Sequence, residues 1–528
     1  MRRHCGEEEM KKLPELKIGK WRMKRPPLLL AAAFALSALF LLVGSKSSPL
    51  YPMNDNVDLN VYMTVGREML RGQVPYRDLF EQKGPLLFML HAFLAVFFRQ
   101  GYFGVYLTET VCFGLFLYYS AKLCGLYVKN RLAPYLVMVF LGVALPLAPS
   151  FVNTGSLEEI YLFVFPLSAY YLLRAIREDR PLTFREDLVI GLLAGFGFWS
   201  KYTFCGFFAG LAPAVIIWYG SRGWWTRILR TAGEMLAGLV LISVPVFLYF
   251  GLHGALGDLF QVYFTDNMTL YAKADDKSAV GRILSALEKT YKRNLTAYGW
   301  LVWPGAAFLL AGLRRHWRES LTVLLCFTGI AVTTYVSSPG YAYYGLTLAP
   351  FAAAGLIGIA RLAEWLLALA GVTVPDRPSL PRQAGLLLGL AALLLAGGGM
   401  LAIGLFSPGA YLMKYKKADL PQYQFAEIIR ETPDATLLNY WFLDGGFYYT
   451  AGAHPVNRFF CFFNMNPPEL RPEQESVILN AKADYVVTRR DPLPARLIKD
   501  GQYELVQTAN FFFSYRYYDY YLYKKTGP

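Results

Sequence analysis

The chain has 528 residues, of which 55% are hydrophobic and 17% are charged, and its formal net charge is +14. A soluble protein of this length would carry more charge and shorter apolar runs. Apolar stretches of about 20 residues, enough to cross about 30 Å of hydrocarbon, recur between residues 27 and 405. The composition therefore excludes an ordinary soluble protein. It predicts an all-α polytopic membrane bundle of about 11–13 transmembrane helices.

The basic residues are spread along the chain and do not form one cluster. Most of them lie in short segments between apolar runs, where Lys and Arg set the orientation of a membrane protein. The six cysteines show no paired spacing typical of a disulfide framework or a zinc site. We therefore expect no nucleic-acid partner, and ligand spacing indicates no divalent metal.

The first apolar run, Pro26 to Gly44, follows a basic leader at residues 1–26. The leader is longer than that of a cleaved signal peptide, so we predict a retained first helix with a cytoplasmic N-terminus. The positions of the basic segments then divide the rest of the chain. Residues 27–405 form the membrane module, with external loops at 45–85, 151–159 and 252–297, and residues 406–528 form a small external α/β domain.

A long apolar stretch, Asp187 to Gly220, is interrupted by a short polar turn that contains Lys201. A single helix of this length would measure about 51 Å, too long for one crossing. We therefore predict a helical hairpin with Lys201 near its outer turn. The lysine either snorkels to the membrane surface or meets an anion such as lipid phosphate.

Residues 84–150 contain three apolar runs, although both flanks are predicted to be external and an even number is required. The run from Gly84 to Phe98 is short, which favours a partial or tilted segment. Glu109 lies inside the second run. An intramembrane charge is a functional candidate, but the sequence assigns it no role.

The first external loop contains a helical pattern from Asp58 to Arg71. Its apolar positions recur at helical spacing, namely Leu59, Tyr62, Met63, Gly66, Met69 and Leu70. The pattern predicts an amphipathic helix on the membrane surface with Asp58 at its N-cap. In the simpler interpretation, Asp58 only satisfies helix amides.

Four charged residues follow just before the next membrane entry: Arg77, Asp78, Glu81 and Lys83. Charges at that depth are costly unless they are paired or used. They therefore either contribute to a site or form a solvated loop whose charges merely pair.

Two later segments add polar candidates on the same side of the membrane. Glu158 and Glu159 follow Ser156, which alternatively marks a helix N-cap with acids in the first turn. Tyr341 and Tyr344 belong to a tyrosine-rich membrane entry, whose rings alternatively form an interfacial aromatic belt.

The first loop closely matches one specific pattern. The matching residues are Asp58, Tyr62, Gly66, Arg67, Leu70, Gly72, Val74, Pro75, Tyr76, Asp78, Phe80, Glu81, Lys83, Gly84 and Pro85. With these residues the chain resembles the polytopic GT-C glycosyltransferases, in particular bacterial relatives of dolichyl-phosphate-mannose protein mannosyltransferases and of the aminoarabinose lipid A transferase. The chain lacks the Asp-Glu pair that many such enzymes carry here, because Leu59 follows Asp58. Asp55 therefore competes with Asp58 for the catalytic role.

This resemblance implies inverting transfer of a sugar from a polyprenyl-phosphate donor, on the outer face of the bacterial cytoplasmic membrane, to a glycan, lipid or protein hydroxyl. Such a reaction needs a carboxylate base and, opposite it, positive charge for the leaving phosphate. We expect Asp58 to act as the base. The remaining candidates would bind substrate: Lys83 and Lys201 the phosphate, Arg77 by a bidentate contact, Glu158 or Glu159 the sugar or acceptor hydroxyls, and Asp78, Glu81, Tyr341 and Tyr344 as neighbours.

Two other function classes remain open. A transporter or flippase of lipid-linked glycans would show internal repeats and charges along several spans, and neither is evident. In a noncatalytic envelope assembly protein, the external carboxylates would be dispensable. The C-terminal segment adds strand-like runs, one helical run and a very aromatic end. The aromatic rings either bind an acceptor sugar or pack within the domain.

Overall fold

The computed structural model describes residues 26–271, 278–296, 298–336, 340–371, 382–498, 501–513 and 516–527. The predicted cytoplasmic leader lies outside these ranges except for Pro26. The predicted fold class is confirmed, because the described part is a helical bundle with a small sheet domain at its C-terminal end. Six of its helical stretches are long and apolar enough to cross a membrane: Pro27–Gly44, Phe103–Tyr127, Leu157–Arg177, Tyr202–Gly220, Trp225–Leu252 and Ala342–Leu369.

The first half of the bundle contains ten helices. They are α1 (Pro26–Gly44), α2 (Val57–Met69), α3 (Pro85–Phe97), α4 (Phe103–Tyr127), α5 (Ala133–Leu147), α6 (Leu157–Ile160), α7 (Val164–Arg177), α8 (Phe184–Phe198), α9 (Cys205–Gly220) and α10 (Trp225–Leu252). Helices α8 and α9 are separated by a short turn that contains Lys201, which confirms the predicted hairpin.

The second half begins with α11 and a π-helical segment and ends at the C-terminal domain. Its elements are α11 (Leu256–Phe260), the π-helical segment Gln261–Tyr271, α12 (Ala279–Thr296), α13 (Gly299–Gly312), α14 (Trp317–Tyr335), the 3₁₀ segment Ala342–Phe351, α15 (Ala352–Leu369) and α16 (Arg382–Phe406). Helix α8 packs against α10, α9 against α14, and α13 against α15.

Close backbone contact explains one of these pairs. A Cβ atom on Gly191 of α8 would lie 1.9 Å from the carbonyl oxygen of Met235 on α10. Only glycine allows this approach, as at other small-residue contacts between membrane helices. The start of α8 is fixed by a capping box, in which the side chains of Thr183 and Glu186 each accept from the other residue's amide.

The C-terminal domain contains a five-stranded sheet with three helices. The helices are α17 (Pro421–Ile429), α18 (Phe447–Ala451) and α19 (Leu470–Leu479), and the strands are β1 (Thr436–Asn439), β2 (His454–Pro455), β3 (Tyr485–Arg489), β4 (Tyr503–Phe513) and β5 (Arg516–Lys525). The strand order is β2-β1-β3-β5-β4, with β1 parallel to β2 and β3 and with β5 antiparallel to β3 and β4. The predicted strand and helix runs of this segment are therefore confirmed. We call the end of the bundle that carries this domain the domain end.

Helix α2 is formed as predicted and lies beneath the C-terminal domain, whereas its position on the membrane surface stays a prediction. The Thr64 hydroxyl donates to Oδ2 of Asp444 at 2.9 Å, and Nη1 of Arg67 donates to the carbonyl of Tyr448 at 3.0 Å. The polar face of α2, which the sequence pattern assigned to water, is therefore covered by protein. Burial raises the pKa of Asp444 to about 6, although Gly446 and Thr64 donate to its carboxyl.

Helix α3 resolves the odd number of apolar runs between residues 84 and 150. Its 13 residues measure about 20 Å, less than the thickness of the hydrocarbon. Just before its first residue, the Gly84 amide donates to the Ser200 carbonyl. Just after the last residue of α3, the Tyr449 hydroxyl of the C-terminal domain donates to the carbonyls of Phe98 and Gly101. Both ends of α3 thus lie at the domain end. Of the three apolar runs between residues 84 and 150, only α4 and α5 therefore cross the bundle, which is the even number required.

Candidate active site

Asp58 lies in the first turn of α2. The N-cap is Asn56, whose side chain accepts from the Asp58 amide at 3.2 Å, so the prediction of Asp58 as the N-cap is wrong. Oδ2 of Asp58 accepts from the Tyr343 hydroxyl at 3.3 Å. The partial positive charge of the helix N-terminus favours a carboxylate at this position. The side chain is half-buried, so it is shielded from bulk water without being closed off.

Glu81 and Lys83 lie on the loop between α2 and α3. Burial raises the pKa of Glu81 to about 7, although neighbouring Lys83 opposes the shift. Burial disfavours the charged form of Lys83, but Tyr62, Asp58 and Glu81 outweigh it, so the pKa of Lys83 lies well above its ordinary value. A half-buried lysine in this position remains a cation that water screens only in part.

The loop is fixed to the α8–α9 turn by its backbone. The amides of Gly84 and Leu86 donate to the carbonyls of Ser200 and Trp199 at 2.9 and 3.1 Å. A Cβ atom at Gly84 would lie 2.1 Å from the Trp199 oxygen. The glycine of the Lys-Gly-Pro sequence is therefore required for the close approach that brings residue 83 next to residue 201.

Lys201 is enclosed by two side chains. Its Nζ lies 2.5 Å from Oε1 of Glu158 and 3.8 Å from the centre of the Tyr344 ring. Glu158 is buried and Lys201 is half-buried, with side-chain exposures of 3% and 13%. The snorkelling alternative is wrong, because Lys201 points into the protein. The carboxylate and the ring stabilise its charge where water does not.

Lys83 and Lys201 line the same cavity. Its volume is about 40 Å³, and the other lining residues are Gln82, Ser200, Tyr202, Thr203, Tyr263, Asn267 and Tyr344. This is room for roughly two or three water molecules, so a sugar must displace the walls to enter. Asp58 does not line the cavity but is joined to it through two rings: its partner Tyr343 packs on Tyr344 with ring centres 4.6 Å apart.

No protein-family model matches the sequence. No curated protein matches it either. Solved structures do match. ArnT from Cupriavidus metallidurans bound to undecaprenyl phosphate has a TM-score of 0.56 at 16% identity, over 94% of this chain and 97% of that one. The apo state of the same protein gives 0.53 at 15% identity over the same shares.

The chain has the GT-C fold. The resemblance stated from the first loop is thereby confirmed at the level of the fold. The apo oligosaccharyltransferase of Archaeoglobus fulgidus also matches, with a TM-score of 0.47 at 11% identity over 89% of this chain and 70% of that one.

Both carboxylate oxygens of Asp55, the competing acid, are bound by other side chains. One carboxylate oxygen pairs with Nζ of Lys46, and the other accepts from the Tyr411 hydroxyl at 2.6 Å. The Lys46 and Asp55 side chains are only 3% and 5% exposed. The ion pair lies within the first loop, and the hydrogen bond from Tyr411 links that loop to the segment after α16. Asp55 thus has structural partners on both oxygens, whereas Asp58 accepts from Tyr343, which packs on the cavity residue Tyr344.

Glu159 points away from Lys201, although it is adjacent to Glu158. Its Oε2 accepts from the Gly155 amide at 2.9 Å, and its carboxyl hydrogen-bonds to that of Glu109. Glu109 accepts in addition from the Ser45 hydroxyl at 2.5 Å. This contact accounts for Glu109, which the sequence left without a role. Two carboxyls in hydrogen-bond contact must share a proton, which makes Glu159 a structural partner of Glu109.

Arg77 and Asp78 lie on the outer surface of the loop. They pair at 3.0 Å, Oδ2 of Asp78 closes a turn by accepting from the Val74 amide, and Arg77 donates to the His253 carbonyl. The Arg77 side chain is 43% exposed, and neither residue lines the cavity. The structure therefore favours the simpler interpretation of this pair, a surface loop whose charges merely pair.

The tyrosines of the 3₁₀ segment divide between the surface and the site. Tyr341 is 43% exposed, as expected for a belt residue, whereas Tyr343 and Tyr344 are buried. Sequence reasoning missed Tyr343, the partner of Asp58, and also missed Tyr263 and Asn267 of the cavity wall. The spacing within the tyrosine run was the only available signal. Among the described residues, no cluster of three or more acidic, His or Cys side chains is placed to hold a metal ion.

Proposed function

We propose that the chain is an inverting glycosyltransferase that moves a sugar from a polyprenyl phosphate to a hydroxyl of a cell-envelope acceptor. One observation carries the proposal. Two half-buried lysines, Lys83 and Lys201, line a small cavity, and the carboxylate of Asp58 is joined to that cavity through Tyr343 and Tyr344. The GT-C fold, shared with an ArnT structure that holds undecaprenyl phosphate, supports the lipid-linked donor.

In the proposed reaction, the acceptor oxygen attacks the anomeric carbon while the bond from that carbon to the phosphate oxygen breaks. The acceptor proton passes to Asp58, and polyprenyl phosphate leaves with the bonding electrons. A positioned base contributes about 10²–10⁴ to such a rate. Asp58 suits this role because its hydrogen-bond donor, Tyr343, is a neutral side chain and not a cation, so the carboxylate remains available to accept a proton.

The negative charge that develops on the leaving phosphate needs fixed positive charge nearby. Lys83 is the better candidate, because it lines the cavity and electrostatic neighbours keep it protonated. Lys201 lines the same cavity but is already paired with Glu158. We assign Lys83 to the phosphate of the donor. We assign the Lys201–Glu158 pair to the sugar, whose hydroxyls Glu158 can accept from. The enzyme would need no residue of the Arg77–Asp78 pair.

The proposed orientation places the domain end outside the bacterial cytoplasmic membrane. The basic segment Arg174–Arg185 supports this, because α6 and α7 together run from Glu158, the partner of Lys201, to Arg177 at the opposite end of the bundle. Basic residues accumulate on the cytoplasmic side. The acceptor would then approach from outside, between the cavity and the C-terminal domain. An alkaline-phosphatase fusion after residue 527 should be active, and a fusion in the 178–183 turn should be inactive.

The deciding experiment uses purified full-length protein in detergent, a radiolabelled polyprenyl-phosphate sugar and isolated envelope acceptors. We expect transfer by the wild type. Asp58→Asn should lose about 10²–10⁴ in kcat while its affinity for the labelled donor stays unchanged. Lys83→Gln should weaken donor binding itself, since it removes the charge that faces the phosphate.

Matched controls come from exposed positions of the same residue type. Asp434→Asn changes a side chain that is 92% exposed, and Lys292→Gln changes one that is 69% exposed. Both should behave as the wild type. Transfer that survives in Asp58→Asn would defeat the assignment of the base. A wild type that moves the donor across vesicles without transferring its sugar would establish the transporter class in place of the enzyme.

A further inference from the structure

A second, larger cavity lies between α4, α7, α13, α14 and α15. Its volume is about 520 Å³, within the range of about 300–1,000 Å³ that is usual for sites of small organic ligands. Most of its lining is apolar and includes Leu123, Phe165, Leu173, Phe308, Phe351 and Ile357. A void this large in a packed protein is far beyond a packing defect. An apolar cavity is also poorly suited to hold water.

This cavity is separate from the candidate active site. The two share no lining residue among those described. Stacked aromatic rings lie between them: Tyr161 on Phe204, with centres 4.3 Å apart, and Phe165 on Phe207, with centres 4.5 Å apart. Phe204 itself lies 5.8 Å from the Lys201 ammonium. The large cavity therefore begins on the other side of an aromatic layer from the Lys83–Lys201 cavity.

The cavity reaches the end of the bundle opposite the domain end. Helix α4 begins near Gly101, which contacts the C-terminal domain, and its 25 residues extend about 37 Å to Tyr127. Tyr127 lines the cavity together with Gly312, the last residue of α13. Its opening is therefore at the depth of the opposite membrane surface, where polar head groups lie.

The opening carries an excess of positive charge. Arg315, His316, Glu319 and Arg361 line it. Glu319 is occupied, because Arg177 and His316 each approach it at 3.3 Å, and Arg361 pairs with Glu364 at 2.9 Å. In the part of the chain that the structure describes, Arg315 has no carboxylate partner. One guanidinium at the opening is thus available to an anion.

We infer that this cavity binds an anionic phospholipid, with one acyl chain among α7, α13 and α15 and the phosphate at Arg315. The apolar interior fits a hydrocarbon chain, and the unpaired arginine at the rim fits a phosphate diester. Basic pockets between membrane helices are known to hold anionic head groups in this way. The bound lipid would fill the space behind the aromatic layer and so support the wall of the Lys83–Lys201 cavity.

The test uses the full-length protein in nanodiscs and a phospholipid with a photoreactive diazirine in one acyl chain. Phosphatidylglycerol and phosphatidylcholine forms are compared, and crosslinked peptides are mapped. We expect labelling of α7, α13 and α15, with the phosphatidylglycerol form favoured. Ala169→Leu, which fills the cavity from α7, should remove most of that labelling. Arg315→Gln should lower the preference for phosphatidylglycerol by about tenfold, the loss of one charge-assisted hydrogen bond.

The controls are Arg314→Gln, which neutralises the adjacent arginine outside the cavity lining, and Ala237→Leu, at an exposed position of α10. Both should label as the wild type does. Each variant is first checked for a monodisperse elution profile, and Ala354→Leu replaces Ala169→Leu if the latter does not fold. Labelling that persists in the filled cavity, an unchanged preference in Arg315→Gln, or displacement by polyprenyl phosphate but not by phosphatidylglycerol would each overturn the inference.

Discussion

The hydroxyl of Tyr343 donates to the carboxylate of Asp58 across 285 positions of sequence, at 3.3 Å. Tyr343 also packs on Tyr344, which covers the ammonium of Lys201. Two segments that are remote in the chain, the start of α2 and the 3₁₀ segment before α15, are thus joined at the candidate base. The position of Asp58 depends on this contact, because the tyrosine is the side chain that orients its free oxygen.

Tyr343→Phe tests that dependence directly. Removing one hydrogen bond to a carboxylate should lower kcat of sugar transfer by about tenfold, because the base is no longer held towards the acceptor. The KM for the lipid-linked donor should change much less, because the phenyl ring still packs. Tyr341→Phe, at the 43% exposed neighbour, should have no effect. Equal losses in both variants would contradict an orienting role.

The Lys201–Glu158 pair should be costly to break from one side. Lys201→Met leaves a carboxylate that is 3% exposed without its cation, which should lower the free energy of unfolding by about 3–5 kcal/mol. Adding Glu158→Gln should restore much of this loss, since no buried charge then remains. The measurement is thermal unfolding in detergent. The control is the exposed pair Lys292–Glu288, in which Lys292→Met should lower the free energy of unfolding by at most about 1 kcal/mol. An equally small loss in Lys201→Met would show that Glu158 is solvated.

Glu81 should make stability fall as the pH rises. Its pKa is about 7 in the folded protein, against an ordinary value of 4.5, because burial disfavours the carboxylate. Between pH 4.5 and 7 the folded state therefore holds a proton that the unfolded chain has lost, and the free energy of unfolding decreases by about 3 kcal/mol over that interval. Asp444, with its pKa of about 6, acts in the same direction.

Glu81→Gln isolates the contribution of that one carboxyl. The variant should be more stable than the wild type above pH 7 and should show a flatter dependence of unfolding on pH. Unfolding temperatures at pH 5 and pH 8 provide the measurement, with Asp434→Asn as the control. An identical pH dependence in wild type and Glu81→Gln would mean that Glu81 is hydrated in the folded protein.

Gly84→Ala should increase the distance between Lys83 and Lys201. The added methyl group would collide with the backbone at Trp199 and Ser200, which cannot move as a side chain can. The loop must shift by more than a few tenths of an ångström, so donor binding should weaken strongly. Gly233→Ala in α10 meets no atom within 4 Å and should stabilise the helix by up to about 1 kcal/mol. Titrating both variants with a labelled lipid-linked donor measures the loss of donor binding, which should appear in Gly84→Ala and not in Gly233→Ala.

The sequence predicted those features that depend on neighbouring residues. The hairpin around Lys201 followed from the length of an apolar stretch, and a local pattern singled out Asp58 and Lys83, whose roles stay predictions. The N-cap was wrong by two positions, since Asn56 and Asp58 are both good caps and spacing does not distinguish them. The domain that covers α2 was not predictable, because a helix with a polar face has the same sequence pattern whether water or a protein domain lies against that face.

Contacts between distant segments were not predictable. The Glu109–Glu159 pair joins two membrane helices, and nothing in either local sequence identifies the other member. The same holds for the contact between Asp55 and Tyr411, which are 356 positions apart in the sequence. The local sequence pattern indicates which charged residues lie at positions where charge is rare. Only the packing of helices decides whether an unusual group meets a substrate or another side chain.

The contact between Thr64 and Asp444, which are 380 residues apart, has a consequence for biosynthesis. At about 5–20 residues per second, a ribosome needs roughly 20–80 seconds to travel that distance. During this interval α2 has already emerged, while the domain that shelters its polar face does not yet exist. The helices of the bundle can insert early, but the polar face of α2 is covered only when translation is almost finished, so a prematurely terminated chain would leave that face exposed.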